Sequence, residues 1–260
     1  MKHVVQFSGG TCSWAAAKRV AERHGTSDLV LLFADTMYED ADTYRYLHEA
    51  AANVGGTLVK IADGRDPWQV FRDERMLGSS RFDPCSKILK RKLIDRWMKA
   101  NCDPASTIRY VGIHWSESDR YESLRDRLPG WNVQAPMCEA PFMGVQQMEE
   151  WSASEGLRRQ HLYEEGFPHA NCGGRCVKQG QAGWARLYHH RRADFMEVER
   201  KEQGMRDFLK KDVSMMKETV NGVRRPLTLA EFRSRLERKQ EYAMFDEGGC
   251  GCFSGTLEAA

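Results

Sequence analysis

Apolar and polar residues alternate in blocks along the first half of the chain. Three apolar runs have the length of buried strands, at residues 4–7, 28–34 and 57–62. Segments with helical periodicity separate them, an alanine-rich one that ends near Gly25 and an amphipathic one that ends at Gly55-Gly56. Runs at residues 110–114 and 132–135 predict two more strands. Because strands alternate with helices, the sequence predicts an α/β fold with a doubly wound, mostly parallel sheet.

The pattern changes near Pro136, beyond which the chain is helical and irregular. We therefore predict a boundary there, with an α/β domain over residues 1–136 and a helical, cysteine-containing region over residues 137–260. In the second region, Asn221-Gly222 predicts a hairpin turn, and the Thr228-x-x-Glu231 spacing predicts a capped helix. Glycines at the end of the chain predict a mobile Cys-Gly-Cys tail.

Composition and charge exclude several classes of protein. The 260 residues are 41% hydrophobic and 29% charged with a net charge of +2, which is typical of a globular protein rather than a disordered or fibrous one. The longest apolar run, residues 29–34, is far shorter than the roughly 20 residues that cross a membrane. No secretory signal pattern opens the chain, so we expect a cytoplasmic protein. Since cytosolic thiols stay reduced, its eight cysteines favour metal or redox chemistry over disulfides.

A glycine loop lies between the first predicted strand and the first predicted helix. Backbone N–H groups and the helix dipole favour a bound anion at such a position, and glycines allow the backbone to approach phosphate oxygens closely. The candidate phosphate-binding residues are Ser8, Gly9, Gly10, Thr11 and Ser13. This loop predicts that residues 1–136 form a nucleotide-binding domain.

The loop, Ser-Gly-Gly-x-x-Ser, resembles the PP-loop of the ATP pyrophosphatase and adenine nucleotide alpha-hydrolase superfamily. That resemblance implies a PP-loop (HUP-like) fold and cleavage of ATP between its α and β phosphates with Mg²⁺. Residues 35–39 (Asp-Thr-Met-Tyr-Glu) and 112–120 (Gly-Ile-His-Trp-Ser-Glu-Ser-Asp-Arg) are similar to motifs of the phosphoadenosine phosphosulfate (PAPS) reductase branch, in the same order. The resemblance implies four further nucleotide-binding residues: Asp35, Thr36, Glu117 and Arg120.

The cysteines indicate a second site. Cys85 follows Asp83-Pro84, which places it in the first turn of a predicted helix, and four others form the tight pairs Cys172-x-x-x-Cys176 and Cys250-x-Cys252. The segments that carry Cys85, Cys172 and Cys176 resemble those that hold the 4Fe–4S cluster ligands of cluster-containing PAPS and APS reductases, and the resemblance implies that these three cysteines are ligands. Cys138, Cys250 and Cys252 are the candidates for the fourth ligand, and Cys138 is preferred. Zinc, or free and redox-paired thiols, are the alternatives. Since these reductases carry a catalytic cysteine near the C-terminus, the resemblance implies that Cys252, or else Cys250, is the nucleophile.

Residues 175–192 carry five arginines or lysines and no acidic residue. This predicts a local contact with a nucleotide phosphate, a sulfate or a nucleic-acid backbone, and Trp184 and Tyr188 are candidates for stacking on a base. A solvated basic helix face is the alternative. The oligomeric state is open, and a dimer is compatible with the sequence.

Three functions are compatible with these motifs. The first is ATP-dependent sulfur transfer, in which an adenylated acceptor receives sulfur from the cluster or from Cys252, with a cysteine desulfurase as sulfur donor. The second is reduction of PAPS or adenosine phosphosulfate (APS) with a thioredoxin-like partner. A zinc-stabilised module that binds a nucleotide or nucleic acid is the third. The intact glycine loop favours the first, because the reductases resemble a degenerate form of that loop.

Overall fold

The computed structural model describes residues 1–249. Five strands form one sheet in the order β3-β2-β1-β4-β5, and all neighbouring strands are parallel. The strands are β1 (Lys2–Gln6), β2 (Leu29–Asp35), β3 (Thr57–Ala62), β4 (Thr107–Val111) and β5 (Asn132–Gln134). The prediction of a doubly wound, mostly parallel α/β fold is confirmed.

Helices cover both faces of this sheet. Within β1, Val5 packs with α1 and α2 on one face, whereas Val4 packs with α5 on the other, as the two-residue period of a strand requires. The helices are α1 (Thr11–His24), α2 (Ala41–Val54), α3 (Pro67–Asp73), α4 (Pro84–Ser86), α5 (Leu93–Asn101), α6 (Ser118–Asp126), α7 (Val145–Ser154), α8 (His161–Glu164), α9 (Gln181–His190), α10 (Arg192–Leu209) and α11 (Leu229–Glu237). A π-helical turn, Lys87–Lys92, joins α4 to α5.

The predicted boundaries of the elements agree with the structure at several points. Strand β3 spans the predicted residues, and α3 begins at Pro67 behind a capping box formed by Asp66 and Gln69. Strand β4 begins three residues earlier than the apolar pattern indicated. Arg109 causes the difference, because this buried residue is paired with Asp95 at 2.8 Å and interrupts the apolar run of a buried strand.

The chain after β5 forms helices α7 to α11 and a two-stranded antiparallel hairpin, β6 (Met216–Val220) and β7 (Val223–Leu227), which turns at Asn221-Gly222 as predicted. Its core includes Trp184, Phe195 and Phe232 and also takes in Phe71 of α3. The domain boundary near residue 136 stays a prediction. Within residues 1–249, no helix is both long and apolar enough to cross a membrane.

Candidate functional site

The topology of the sheet positions a crevice at the predicted glycine loop. Strand β1 pairs with β2 on one side and with β4 on the other, so the order of strands reverses between β1 and β4. In open α/β sheets, ligands bind outside the carboxyl ends of the strands at this reversal. The glycine loop follows β1, and Gly112 follows β4.

The glycine loop leaves the N-terminus of α1 open. Gly10 is the N-cap residue and has no side chain to cap the helix, and the first turn contains no acidic residue. Gly9 adopts a φ of +78°, in the left-handed region that favours glycine. The Ser13 hydroxyl donates to the carbonyl oxygen of Gly10 at 2.8 Å, and the Ser8 hydroxyl donates to Ser13 Oγ at 3.2 Å. The first N–H groups of α1 are therefore available to an anion.

Gly112 holds β4 against the start of α1. A Cβ atom at this position would lie 2.5 Å from Ser13 Cα and 2.8 Å from the Ser13 nitrogen. Because real Cβ atoms do not approach backbone so closely, only glycine allows the end of β4 to pack directly on the glycine loop.

A cavity of about 370 Å³ opens from this loop, which is within the roughly 300–1,000 Å³ range of small-molecule sites. We call it the loop pocket. It contains seven of the predicted nucleotide-binding residues: Ser8, Gly9, Gly10, Thr11, Ser13, Glu117 and Arg120. Glu117 and Arg120 form an ion pair.

The other lining residues of the loop pocket were missed from the sequence. They include Thr43, His114, Glu149, Tyr163, His169 and Asn171. They come from α2, α7, α8 and two loops. His114 lies within the motif of residues 112–120, although it was not singled out there. His169 and Asn171 lie in the glycine- and cysteine-rich segment, and no motif marked the others.

Among the residues that line the loop pocket, His169 has an unusual hydrogen-bonding state and pKa. Its Nδ1 atom is buried and has no hydrogen-bond partner among residues 1–249. Burial, together with the charge of nearby Lys90, lowers the pKa of His169 to about 4. The ring is therefore neutral at pH 7, and one buried polar atom of a pocket-lining residue stays without a hydrogen bond in the described structure.

Asp35 and Thr36 lie outside the loop pocket. The Asp35 carboxylate accepts hydrogen bonds from the backbone N–H of Met37 at 2.8 Å and from the Tyr44 hydroxyl at 2.7 Å, which shapes the turn after β2. Thr36 is buried and lines a second cavity, described below with the cysteines. Their predicted contact with a nucleotide stays untested.

Glu39 connects that turn to the cysteine segment. Its buried carboxylate accepts from the Thr36 hydroxyl at 3.0 Å, from Lys90 Nζ at 3.3 Å and from the backbone N–H of Cys172 at 2.5 Å. The side chains of Glu39 and Lys90 are 3% and 5% exposed. A single carboxylate thus fixes three segments that are far apart in sequence.

Three of the predicted metal ligands, Cys85, Cys172 and Cys176, line one narrow cavity. We call it the cysteine cavity. Its other lining residues include Thr36, Tyr38, Trp68, Lys90, Arg175 and Lys178. The volume is about 20 Å³, which is room for about one water molecule. The structure thus brings these three cysteines to one place, beside three cationic side chains.

Cys138, the preferred fourth ligand, lies at a different place. It packs against the cluster of Val111, Ile113 and Val133, and its thiol donates to the carbonyl oxygen of Ile113 at 3.5 Å. Burial and the charge of Glu117 raise the pKa of Cys138, which favours the neutral thiol over the thiolate that a metal binds. In the described part of the chain, no group of three or more His, Cys, Asp or Glu side chains is arranged to hold a metal ion.

The predicted nucleophiles, Cys250 and Cys252, lie outside the described residues. The segment just before them is anchored to the start of α9. The backbone N–H of Gly249 donates to the carbonyl oxygen of Lys178 at 3.2 Å, and Gly248 pairs with Gln179 in an antiparallel bridge. Lys178 lines the cysteine cavity, so the last described residue lies next to the edge of that cavity.

The cations of residues 175–192 are paired or packed rather than free. Their partners are Tyr38 for Arg175, Asp83 for Lys178, Glu247 for Arg186, Asp40 and Glu165 for Arg191, and Glu237 for Arg192. Trp184 and Tyr188 are buried and do not offer a stacking surface. The segment does not form an open basic face, and the predicted nucleic-acid contact through it stays untested.

The described residues thus define a doubly wound α/β protein with an open pocket at the strand reversal and a separate cysteine cavity. Among solved structures, the chain is similar to the PAPS reductase of Candida auris in its phosphate complex, with a TM-score of 0.46 and 14% sequence identity over 66% of this chain and 81% of that chain. These values describe a likeness of fold. No family model matches the sequence. No curated protein is a significant match.

Proposed function

We propose that this chain is a PAPS reductase-like PP-loop enzyme that cleaves ATP to AMP and pyrophosphate in the loop pocket and transfers sulfur to an acceptor. One observation carries the proposal. At the strand reversal, the uncapped N-terminus of α1 opens into a cavity of about 370 Å³, and Gly112 holds the end of β4 against Ser13. This arrangement supplies several oriented N–H donors to a polyphosphate without a Walker A lysine.

The pocket residues support distinct roles for a bound nucleotide. The N–H groups of α1 and the hydroxyls of Ser8 and Ser13 contact phosphate oxygens, and Arg120 adds positive charge. Glu117 and Glu149 are carboxylates in the same pocket. Since Mg²⁺ binds through one or two carboxylates and the phosphates of its substrate, these two side chains are the candidate metal ligands.

Sulfur chemistry is assigned to the cysteine cavity. In the proposed reaction an acceptor oxygen attacks the α-phosphate and pyrophosphate leaves. The outer sulfur of a cysteine persulfide, loaded by a cysteine desulfurase, then displaces AMP from the acceptor. A second cysteine thiol breaks the resulting S–S bond, which releases the thiolated acceptor and leaves a protein disulfide that a thioredoxin-like dithiol reduces. The loop that carries His169 in the loop pocket also carries Cys172 in the cysteine cavity. The two sites are therefore connected by a few residues of one segment.

The cysteine cavity has suitable ligands for an iron–sulfur cluster, but its volume is too small to hold one. Three thiols are suitable soft ligands, yet the cavity holds about one water molecule, and Cys138 is not among its lining residues. We therefore assign no step to a cluster. The metal that the protein binds can be identified by measuring iron, acid-labile sulfide and zinc in protein purified without oxygen. About four irons and four sulfides per chain would establish the predicted cluster, and zinc alone would favour the nucleic-acid-binding module.

The second candidate is reduction of PAPS or APS by a cysteine thiol, with a thioredoxin-like partner. It is favoured by Lys90, Arg175 and Lys178, which line the cavity together with the three thiols. Lys90 and Lys178 are paired with Glu39 and Asp83, so Arg175 is the candidate cation for a sulfate group. The same loop pocket would then hold the nucleotide part of the substrate.

The test compares the two substrates directly. The protein is incubated with ATP and Mg²⁺, and separately with PAPS and a thioredoxin, and AMP, pyrophosphate and sulfite are measured. Equal amounts of AMP and pyrophosphate support ATP cleavage, whereas sulfite supports the reductase. The double variant Ser8→Ala/Ser13→Ala should lose turnover, while Ser154→Ala, at an exposed position of α7, should retain it. The enzyme proposals fail if the wild-type protein yields none of the three products.

A further inference from the structure

Two adjoining cavities form a basic groove on the side of the molecule that carries the π-helical turn. Their volumes are about 220 and 330 Å³, and Arg91 lines both. The charged lining residues are Glu74, Arg81, Asp83, Lys87, Arg91, Lys92, Asp95, Arg109 and Arg127. None of these residues belongs to the loop pocket.

The groove has an excess of positive charge. Six cationic side chains and three carboxylates line it, so its excess of three charges exceeds the net charge of +2 of the whole chain. Asp95 is already paired with Arg109 at 2.8 Å. Asp83 is mostly buried, 3.4 Å from Arg91 and 3.7 Å from Lys178. The acids are thus largely compensated from within the protein.

Several of the cations have no such compensation. The side chains of Arg81, Lys92 and Arg127 form no ion pair with any residue in the described range 1–249, and all three residues are exposed. Burial and the charge of Arg91 lower the pKa of Arg127, and the charge of Asp95 opposes this shift. An anion bound beside Arg127 would further offset the charge of Arg91.

The π-helical turn explains how these cations share one face. In a π-helix, residues four or five apart lie on the same side, so Lys87, Arg91 and Lys92 are neighbours along the groove. Insertions of this kind in α-helices are frequent at functional sites.

Apolar side chains lie among the charges. Phe82 is 53% exposed and Met76 is 47% exposed, and both line the groove. An exposed aromatic ring within a cationic groove is the combination that binds single-stranded nucleic acid, because phosphates contact the cations and a base stacks on the ring. An acidic peptide would use the charges but would gain less from the ring.

We propose that the basic groove binds a single strand of nucleic acid through its phosphates, with a base stacked on Phe82, and that this strand is the sulfur acceptor. The groove adjoins the cysteine cavity, since Asp83 lines both and Cys85 lies two residues further along the chain. The acceptor role rests on the proposed sulfur transfer, whereas binding of the strand does not.

The first experiment measures the binding of a fluorescently labelled single-stranded oligonucleotide by anisotropy between 50 and 200 mM salt. Arg81, Lys92 and Arg127, the exposed groove cations that form no ion pair within residues 1–249, predict a slope of log affinity against log salt of about −2, and hence a loss of about 20-fold over this range. The variant Arg81→Ala/Lys92→Ala should reduce the slope to about −0.7. The matched control Lys211→Ala/Lys217→Ala removes two exposed lysines that do not line the groove and should leave the slope unchanged.

A second variant tests the stacked base. Phe82→Ala should weaken binding about tenfold without changing the salt slope, because it removes stacking and no charge. Polyglutamate of the same length serves as the competing polyanion. The proposal is overturned if the wild-type protein fails to bind the oligonucleotide, if both double variants change the slope equally, or if polyglutamate binds as tightly.

These results are separable from those on ATP. When no acceptor is added, water takes its place as the nucleophile, and the AMP and pyrophosphate formed in this way should be the same in Arg81→Ala/Lys92→Ala as in the wild-type protein. Failure of strand binding with normal ATP cleavage overturns the groove proposal alone, and the reverse result overturns the proposed nucleotide chemistry alone.

Discussion

The close approach of Gly112 to the glycine loop makes a sharp prediction for Gly112→Ala. The new Cβ would lie 2.5 Å from Ser13 Cα, so the end of β4 and the start of α1 must separate by about 1 Å to reach an ordinary contact. Overpacking of this kind costs about 1–3 kcal/mol of folding free energy. For a chain of this length, the thermal midpoint should fall by about 3–10 °C.

The effect on the loop pocket should exceed the effect on stability. A displacement of about 1 Å in groups that position a substrate costs about 100-fold in turnover. We therefore expect Gly112→Ala to lower kcat/KM for pyrophosphate release by about 100-fold at a temperature where the variant is folded. The assay is pyrophosphate release from ATP and Mg²⁺, with near-ultraviolet circular dichroism to verify folding.

Gly204→Ala is the matched control. Gly204 lies inside α10, and a Cβ there meets nothing within 4 Å. This substitution should raise stability by about 0.5–1 kcal/mol and leave turnover unchanged. If Gly112→Ala turns over as fast as Gly204→Ala, the end of β4 does not position the glycine loop for chemistry, and the reasoning is refuted.

Two further predictions concern buried groups. Glu39→Gln should remove the carboxylate that is paired with buried Lys90 and cost about 3 kcal/mol in urea unfolding. Glu49→Gln, in an exposed ion pair, should cost less than about 1 kcal/mol, and equal costs would contradict a role for the buried pair. His169 has a lowered pKa, so its protonation favours the unfolded state, and stability should fall as the pH drops from about 6.5 towards 4. His169→Gln should reduce this fall in stability, whereas His190→Gln, at an exposed position, should not. Identical pH profiles for the two variants would show that protonation of His169 does not cause the fall.

The strands and the glycine loop could be predicted because their signals are local. The apolar run of β3 and the glycines at residues 9 and 10 are visible within a few residues, and the structure has both where the sequence indicated. Strand β4 was only partly predicted, since Arg109 is stabilised there by Asp95, a residue of α5. A polar residue that is buried by a distant partner cannot be distinguished from a loop residue by its neighbours in sequence.

The same limit explains the sites. The sequence predicted a basic surface at residues 175–192 because the acidic residues that pair with them are far away in sequence. Asp40 and Glu247 are two of these acidic residues. Cys138 was preferred as a ligand because it follows the last predicted strand, but it packs against Val111, Ile113 and Val133 and does not line the cavity that contains Cys85. His169 and the basic groove were missed, because one depends on burial and the other on the meeting of α5 and α6.

Residues 246–249 cross over the start of α9 at two glycines. A Cβ at Gly180 would lie 2.2 Å from both the carbonyl oxygen and Oδ1 of Asp246, and one at Gly248 would lie 2.3 Å from the carbonyl oxygen of Lys178. The close packing of the two segments therefore requires a glycine on each of them. The two positions are therefore expected to be retained or lost together during evolution. A pair of glycines about 68 residues apart would identify other chains whose C-terminal segment packs in the same way.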